Sequence, residues 1–99
     1  MNYLSQYIPQ IVRLCQKYKV KKLFAFGSVL TDSFGEESDV DLIVSFDKEQ
    51  VDDYFLNYFD FKYSLESIFK RKVDLMEEQP IRNPFLRQSI EQSKTLIYG

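Results

Sequence analysis

Two short apolar runs joined by a polar loop constrain this chain more than any other feature. In LFAFGSVLTDSFGEESDVDLIVSF the first run, residues 23–26, stops at Gly27-Ser28. Ten residues later Asp39-Val40-Asp41 leads into a second run, residues 42–46. Apolar runs of this length, bounded by turn residues, read as strands. Leu42-Ile43-Val44 is apolar on both faces, which marks a central strand. Residues i and i+2 of a strand share a face, so Asp39 and Asp41 point into the same space. Two carboxylates held together repel unless a cation lies between them. Hard divalent ions such as Mg²⁺ take oxygen ligands, typically one or two carboxylates plus substrate phosphates. Gly27 lets backbone approach a ligand closely, and a short helix opening at Ser28 would turn its free N–H groups toward a phosphate.

Composition narrows the chemistry. Ninety-nine residues make one domain, large enough for a core without disulfides and too small for a separate substrate domain. The chain has no histidine, which removes Ser-His-Asp and Cys-His catalysis and the usual zinc sites. Catalysis must run on carboxylates, hydroxyls, lysines or a bound metal. The net charge of −2 gives no footprint for non-specific nucleic-acid binding, so no nucleic-acid partner is expected. No apolar run reaches the roughly 20 residues of a membrane span, and the N-terminus lacks the pattern of a signal peptide. The single cysteine, Cys15, fits a reduced cytoplasmic compartment and a place in the core.

The remaining elements follow from periodicity. Leu4, Ile8, Ile11, Val12, Cys15 and Tyr18 recur at helical spacing, giving a helix over about residues 2–18. Pro9 favours a start near itself, with residues 1–8 a looser lead-in. Residues 21–26 form the first strand, 28–31 a single turn, 32–38 a loop and 39–46 the second strand. A long helix runs over 50–70, with Val51, Phe55, Tyr58, Lys62, Leu65 and Phe69 on one stripe. Residues 71–76 form a third strand carrying Asp74. Pro80 and Pro84 break any helix before a last one over 85–93. Residues 95–98 suit a final edge strand. The expected fold class is α+β: a small mixed sheet with helices packed on one face.

Plain readings stand beside the chemical ones. Asp39 and Asp41 also fit a solvated strand entrance. Asp74 also fits a surface acid paired with Lys72 or Arg71, and Gly27-Ser28 an ordinary turn. Seven of the sixteen aromatic residues fall between positions 54 and 69. Tyr54, Phe55, Tyr58, Phe59, Phe61 and Tyr63 cover too much of a helix to be buried on one face. The exposed members point to a protein interface, with another protein or with a second copy of the chain.

Gly-Ser, ten residues, then Asp-Val-Asp resembles the signature of the polymerase-beta-like nucleotidyltransferases. The length is similar to the minimal nucleotidyltransferases, the MNT or MntA-type antitoxins that pair with a HEPN-domain protein. The resemblance spans nearly all of residues 1–99 and implies one minimal nucleotidyltransferase domain of that fold. It places the third carboxylate at Asp74, in Lys72-Val73-Asp74-Leu75-Met76. It implies that Asp39, Asp41 and Asp74 hold two Mg²⁺ ions and act in catalysis, and that Gly27 and Ser28 bind the nucleotide phosphates. The implied reaction transfers AMP from ATP to a hydroxyl of a HEPN-type partner, silencing a toxin. One departure counts against activity. Relatives often carry Arg and Gly shortly after the Ser, where this chain has Val29-Leu30-Thr31-Asp32. That departure and the aromatic helix leave open an antitoxin that acts by binding alone. Transfer to a small molecule or an RNA end is a further alternative.

Overall fold

The computed structural model describes residues 3–27, 39–78 and 94–99. A 3₁₀ turn, Tyr3–Tyr7, leads into helix α1, Ile8–Lys17. Pro9 lies in the first turn of α1, where a missing N–H costs nothing. Of the two starts that Pro9 allows, the chain takes the later one. Strand β1, Val20–Phe26, and strand β2, Val40–Phe46, follow. After a short 3₁₀ turn at Lys48–Gln50 comes helix α2, Tyr54–Phe69, then strands β3, Val73–Glu77, and β4, Thr95–Tyr98. The expected turn over 28–31, the loop over 32–38 and the last helix over 85–93 lie outside the described residues.

The sheet order is β3-β2-β1-β4. β2 is central, as its two apolar faces require. β1 pairs antiparallel with both β2 and β4, while β2 and β3 run parallel. A parallel pair needs a crossover, and α2 supplies it. The sheet is therefore mixed, and β4 is an edge strand as its sequence suggests.

Both helices cover one face. Leu23 and Ala25 of β1, Val40, Leu42, Val44 and Phe46 of β2, and Val73 and Leu75 of β3 pack against Leu4, Ile11, Cys15, Phe61, Leu65 and Phe69. The ring of Phe61 stands edge-on to Phe46, with centroids 5.7 Å apart. Full burial of side chains this size contributes about 1.5–3 kcal/mol each. No polar or charged residue among those described is buried.

The long helix begins later than its apolar pattern suggests. Asp53 caps it, accepting from the Leu56 N–H at 3.1 Å, so Val51 falls outside. Counted from this cap, the core stripe runs through Phe61, Leu65 and Phe69. Phe55, expected on that stripe, is turned outward and is 69% exposed.

Candidate active site

Strand alternation decides where the acids stand. Even-numbered residues of β2 face the helices, so Asp41 and Ile43 face the other side. In β3 the buried residues are Val73 and Leu75, which puts Asp74 and Met76 on that same open side. The parallel register sets Asp41 directly opposite Asp74. Neighbouring strands lie about 4.8 Å apart, so the two carboxylates stand side by side. Asp39 precedes β2 and is exposed.

Electrostatics registers this crowding. The Asp41 carboxyl is held above its ordinary pKa, first by desolvation, then by the charges of Asp74 and Asp39. Neighbouring like charges thus disfavour the ionised form of Asp41, and a cation placed between the acids would relieve that cost. Among the described residues, however, no three His, Cys, Asp or Glu side chains close into one metal-ligating group. The arrangement is a carboxylate pair with a third acid within electrostatic reach. Its donors are all oxygen, the set that suits Mg²⁺.

Gly27 is shaped to the same site. Phe26 pairs with Asp41 across β1 and β2, and Gly27 follows with φ at +77°. A Cβ added there would stand 2.7 Å from Asp41 Oδ2. Only a residue without a side chain lets this backbone lie against the carboxylate. Ser28, the other expected phosphate ligand, lies outside the described residues, as do Val29 and Asp32.

The open face also carries a cation. Lys94 Nζ lies 4.3 Å from the centroid of the Phe24 ring and 4.0 Å from Glu78 Oε1. Arg71, one of the residues expected to pair with Asp74, stacks its guanidinium over the Tyr3 ring at 4.8 Å. Periodicity did not single out the polar ends of α2. Tyr54, Tyr58 and Glu66 share one face at multiples of four, a signal masked because tyrosine counts as apolar there.

A small mixed sheet has its helices on one side and paired aspartates against a bare glycine on the other, and the family match gives the class of enzyme. Residues 10–97 match the nucleotidyltransferase domain family, and the chain belongs to that family. A Methanocaldococcus jannaschii protein named "Putative protein adenylyltransferase MJ1379" is 41% identical, and the alignment covers 99% of each chain. Among solved structures, one described as "Structure of putative minimal nucleotidyltransferase" has a TM-score of 0.74 and 26% identity, covering 96% of this chain and 95% of that one. The MNT antitoxin in complex with a tri-AMPylated Shewanella oneidensis HEPN toxin shares the fold, at a TM-score of 0.62 and 20% identity, covering 95% of this chain and 71% of that one. No helix among the described residues is long and apolar enough to cross a membrane.

Proposed function

We propose that this chain transfers AMP from ATP to a hydroxyl of a HEPN-type partner protein and acts as its antitoxin. The observation that carries the reading is the register of Asp41 opposite Asp74, with Gly27 packed against Asp41. The relative named as a protein adenylyltransferase and the AMPylated HEPN complex of a structural neighbour support the acceptor class.

In this reading the acceptor oxygen attacks the α-phosphorus of ATP. A new O–P bond forms, the bond to the β-phosphate breaks, and pyrophosphate leaves with the bonding electron pair. Asp74 accepts the proton of the acceptor hydroxyl. Asp39, Asp41 and Asp74 would hold Mg²⁺ together with the substrate phosphates. Two bound Mg²⁺ ions supply charge neutralisation at the triphosphate and a more acidic acceptor hydroxyl. Gly27 and Ser28 receive the β- and γ-phosphates, the first through its bare backbone.

A second reading, neutralisation by binding alone, draws on the exposed aromatics of α2. Phe55 and Tyr63 are 69% and 56% exposed. The stripe is continuous, with ring centroids 4.7 Å apart for Phe55–Phe59 and 5.9 Å for Phe59–Tyr63. Phe59 between them is half-buried, and exposed rings such as Phe55 and Tyr63 are typical anchors for a partner protein.

One incubation separates the two readings. Purified chain, labelled ATP, Mg²⁺ and a candidate HEPN-type partner should give label on the partner, lost in the Asp39→Asn/Asp41→Asn double variant. A partner that is silenced without taking label overturns the transferase reading and leaves the binding one.

A further inference from the structure

The strand that carries Asp74 is held from its outer side by a set of side chains on α2. β3 bonds to β2 through alternate backbone groups. The Val40 N–H donates to the Lys72 carbonyl at 3.0 Å, and the Glu78 N–H to the Val44 carbonyl at 2.8 Å. Backbone polarity alternates along a strand, so Val73 and Leu75 direct their groups away from β2. α2 meets each of them. Glu66 Oε2 accepts from the Val73 N–H at 3.0 Å. The Tyr58 hydroxyl donates to the Leu75 carbonyl. Burial, then the nearby Glu77 carboxylate, holds the Tyr54 hydroxyl above its ordinary pKa, which places Tyr54 beside Glu77. These rungs descend α2 as they climb β3, and Asp74 sits between the first two.

We propose that Tyr58 is a positioning residue for Asp74: its hydroxyl pins the Leu75 peptide and so fixes the angle at which Asp74 stands opposite Asp41. The inference rests on the reading of Asp74 as a ligand of the transferase site. The Leu75 carbonyl is one residue beyond Asp74, and a five-residue edge strand has few other restraints on its outer side. A phenol is protonated at neutral pH, and burial, then the charges of Glu77 and Asp74, raises the Tyr58 pKa further, so the hydroxyl donates. A carboxylate that shares a cation with a neighbour must be placed to within about 0.5 Å, and residues behind it do the placing.

The test compares Tyr58→Phe with Tyr63→Phe, a change at an exposed ring of the same helix. Mn²⁺ is the probe, its binding followed by electron paramagnetic resonance in the presence of a non-hydrolysable ATP analogue. Tyr58→Phe should need about three- to tenfold more Mn²⁺ for half-saturation, the span expected for one lost hydrogen bond. Tyr63→Phe should leave the Mn²⁺ affinity at its wild-type value, since that ring lies away from the carboxylates. In the transfer assay, Tyr58→Phe should be slow at low Mg²⁺ and recover at saturating Mg²⁺. Equal Mn²⁺ affinity in wild type and Tyr58→Phe overturns the proposal. So does a rate lost equally at every Mg²⁺ concentration, which marks general damage to the fold. A wild-type chain that binds no Mn²⁺ with nucleotide sinks the transferase reading itself, a result distinct from either.

Discussion

Replacing Gly27 with alanine sets two effects against each other, and their sizes decide what an experiment should see. The first is backbone strain. Gly27 has φ at +77°, and an L-residue in the left-handed region costs about 1–2 kcal/mol. The second is contact: the new Cβ would stand 2.7 Å from Asp41 Oδ2 and 3.6 Å from its Cγ. The crowded atom is the free end of a side chain, so one rotation of Asp41 relieves it at little cost to folding. That same rotation carries the carboxylate away from Asp74. The stability loss should therefore be the strain alone. At about 4–8 °C for each kcal/mol in a domain of this size, the melting point should fall by roughly 4–16 °C. Transfer of labelled AMP, measured where both proteins remain folded, should fall much further, on the order of 100-fold for a misplacement of about 1 Å. In an Asp41→Ala background, Gly27→Ala should still cost the strain and take no further activity. A Gly27→Ala enzyme within about twofold of wild-type rate would show that Asp41 does not depend on this close approach.

Two further outcomes follow from burial and charge. Phe61→Ala should destabilise the fold by about 3–5 kcal/mol, whereas alanine at the exposed Phe55 or Tyr63 should leave the melting point nearly unchanged and weaken capture of the partner, read by calorimetry. Asp41 titrates above its ordinary value of 3.8 in the folded chain, so the folded state binds its proton more tightly than the unfolded one. Its unfavourable contribution is absent below that ordinary value, grows as pH rises through the raised one, and is complete above it. Metal-free protein should lose stability across this window, and Asp41→Asn should flatten the profile in chemical denaturation.

What the sequence made legible followed from patterns with one physical meaning. Leu42 and Val44 face the two helices, while Ile43 is buried on the other face between Phe24 and Met76 of the neighbouring strands. Alternation put Asp41 and Asp74 each opposite buried neighbours, which is enough to place both on the open face. Their register was hidden, since it depends on where the α2 crossover delivers β3. Helix ends were also hard to read. The residues after α1 and α2 that turn left-handed are Lys19 and Lys70, at φ of 60° and 56°, where glycine would have been the usual mark. Counting the aromatic stripe from Val51 rather than from the Asp53 cap put Phe55 inside and passed over Phe61. The rungs of Tyr54, Tyr58 and Glu66 escaped notice because periodicity weighs rings as grease and ignores their hydroxyls.

The capped edge of β3 also bears on how this chain avoids other copies of itself. An unpaired strand edge is a template on which a passing chain can add a strand, the first step toward aggregates. The strand that carries Asp74 would offer such an edge. Glu66 and Tyr58 have already taken the Val73 N–H and the Leu75 carbonyl, so an incoming strand finds those positions filled. The helix that braces the strand of Asp74 from behind thus also guards it from its own kind, and a chain lacking both rungs should form fibrils sooner under agitation.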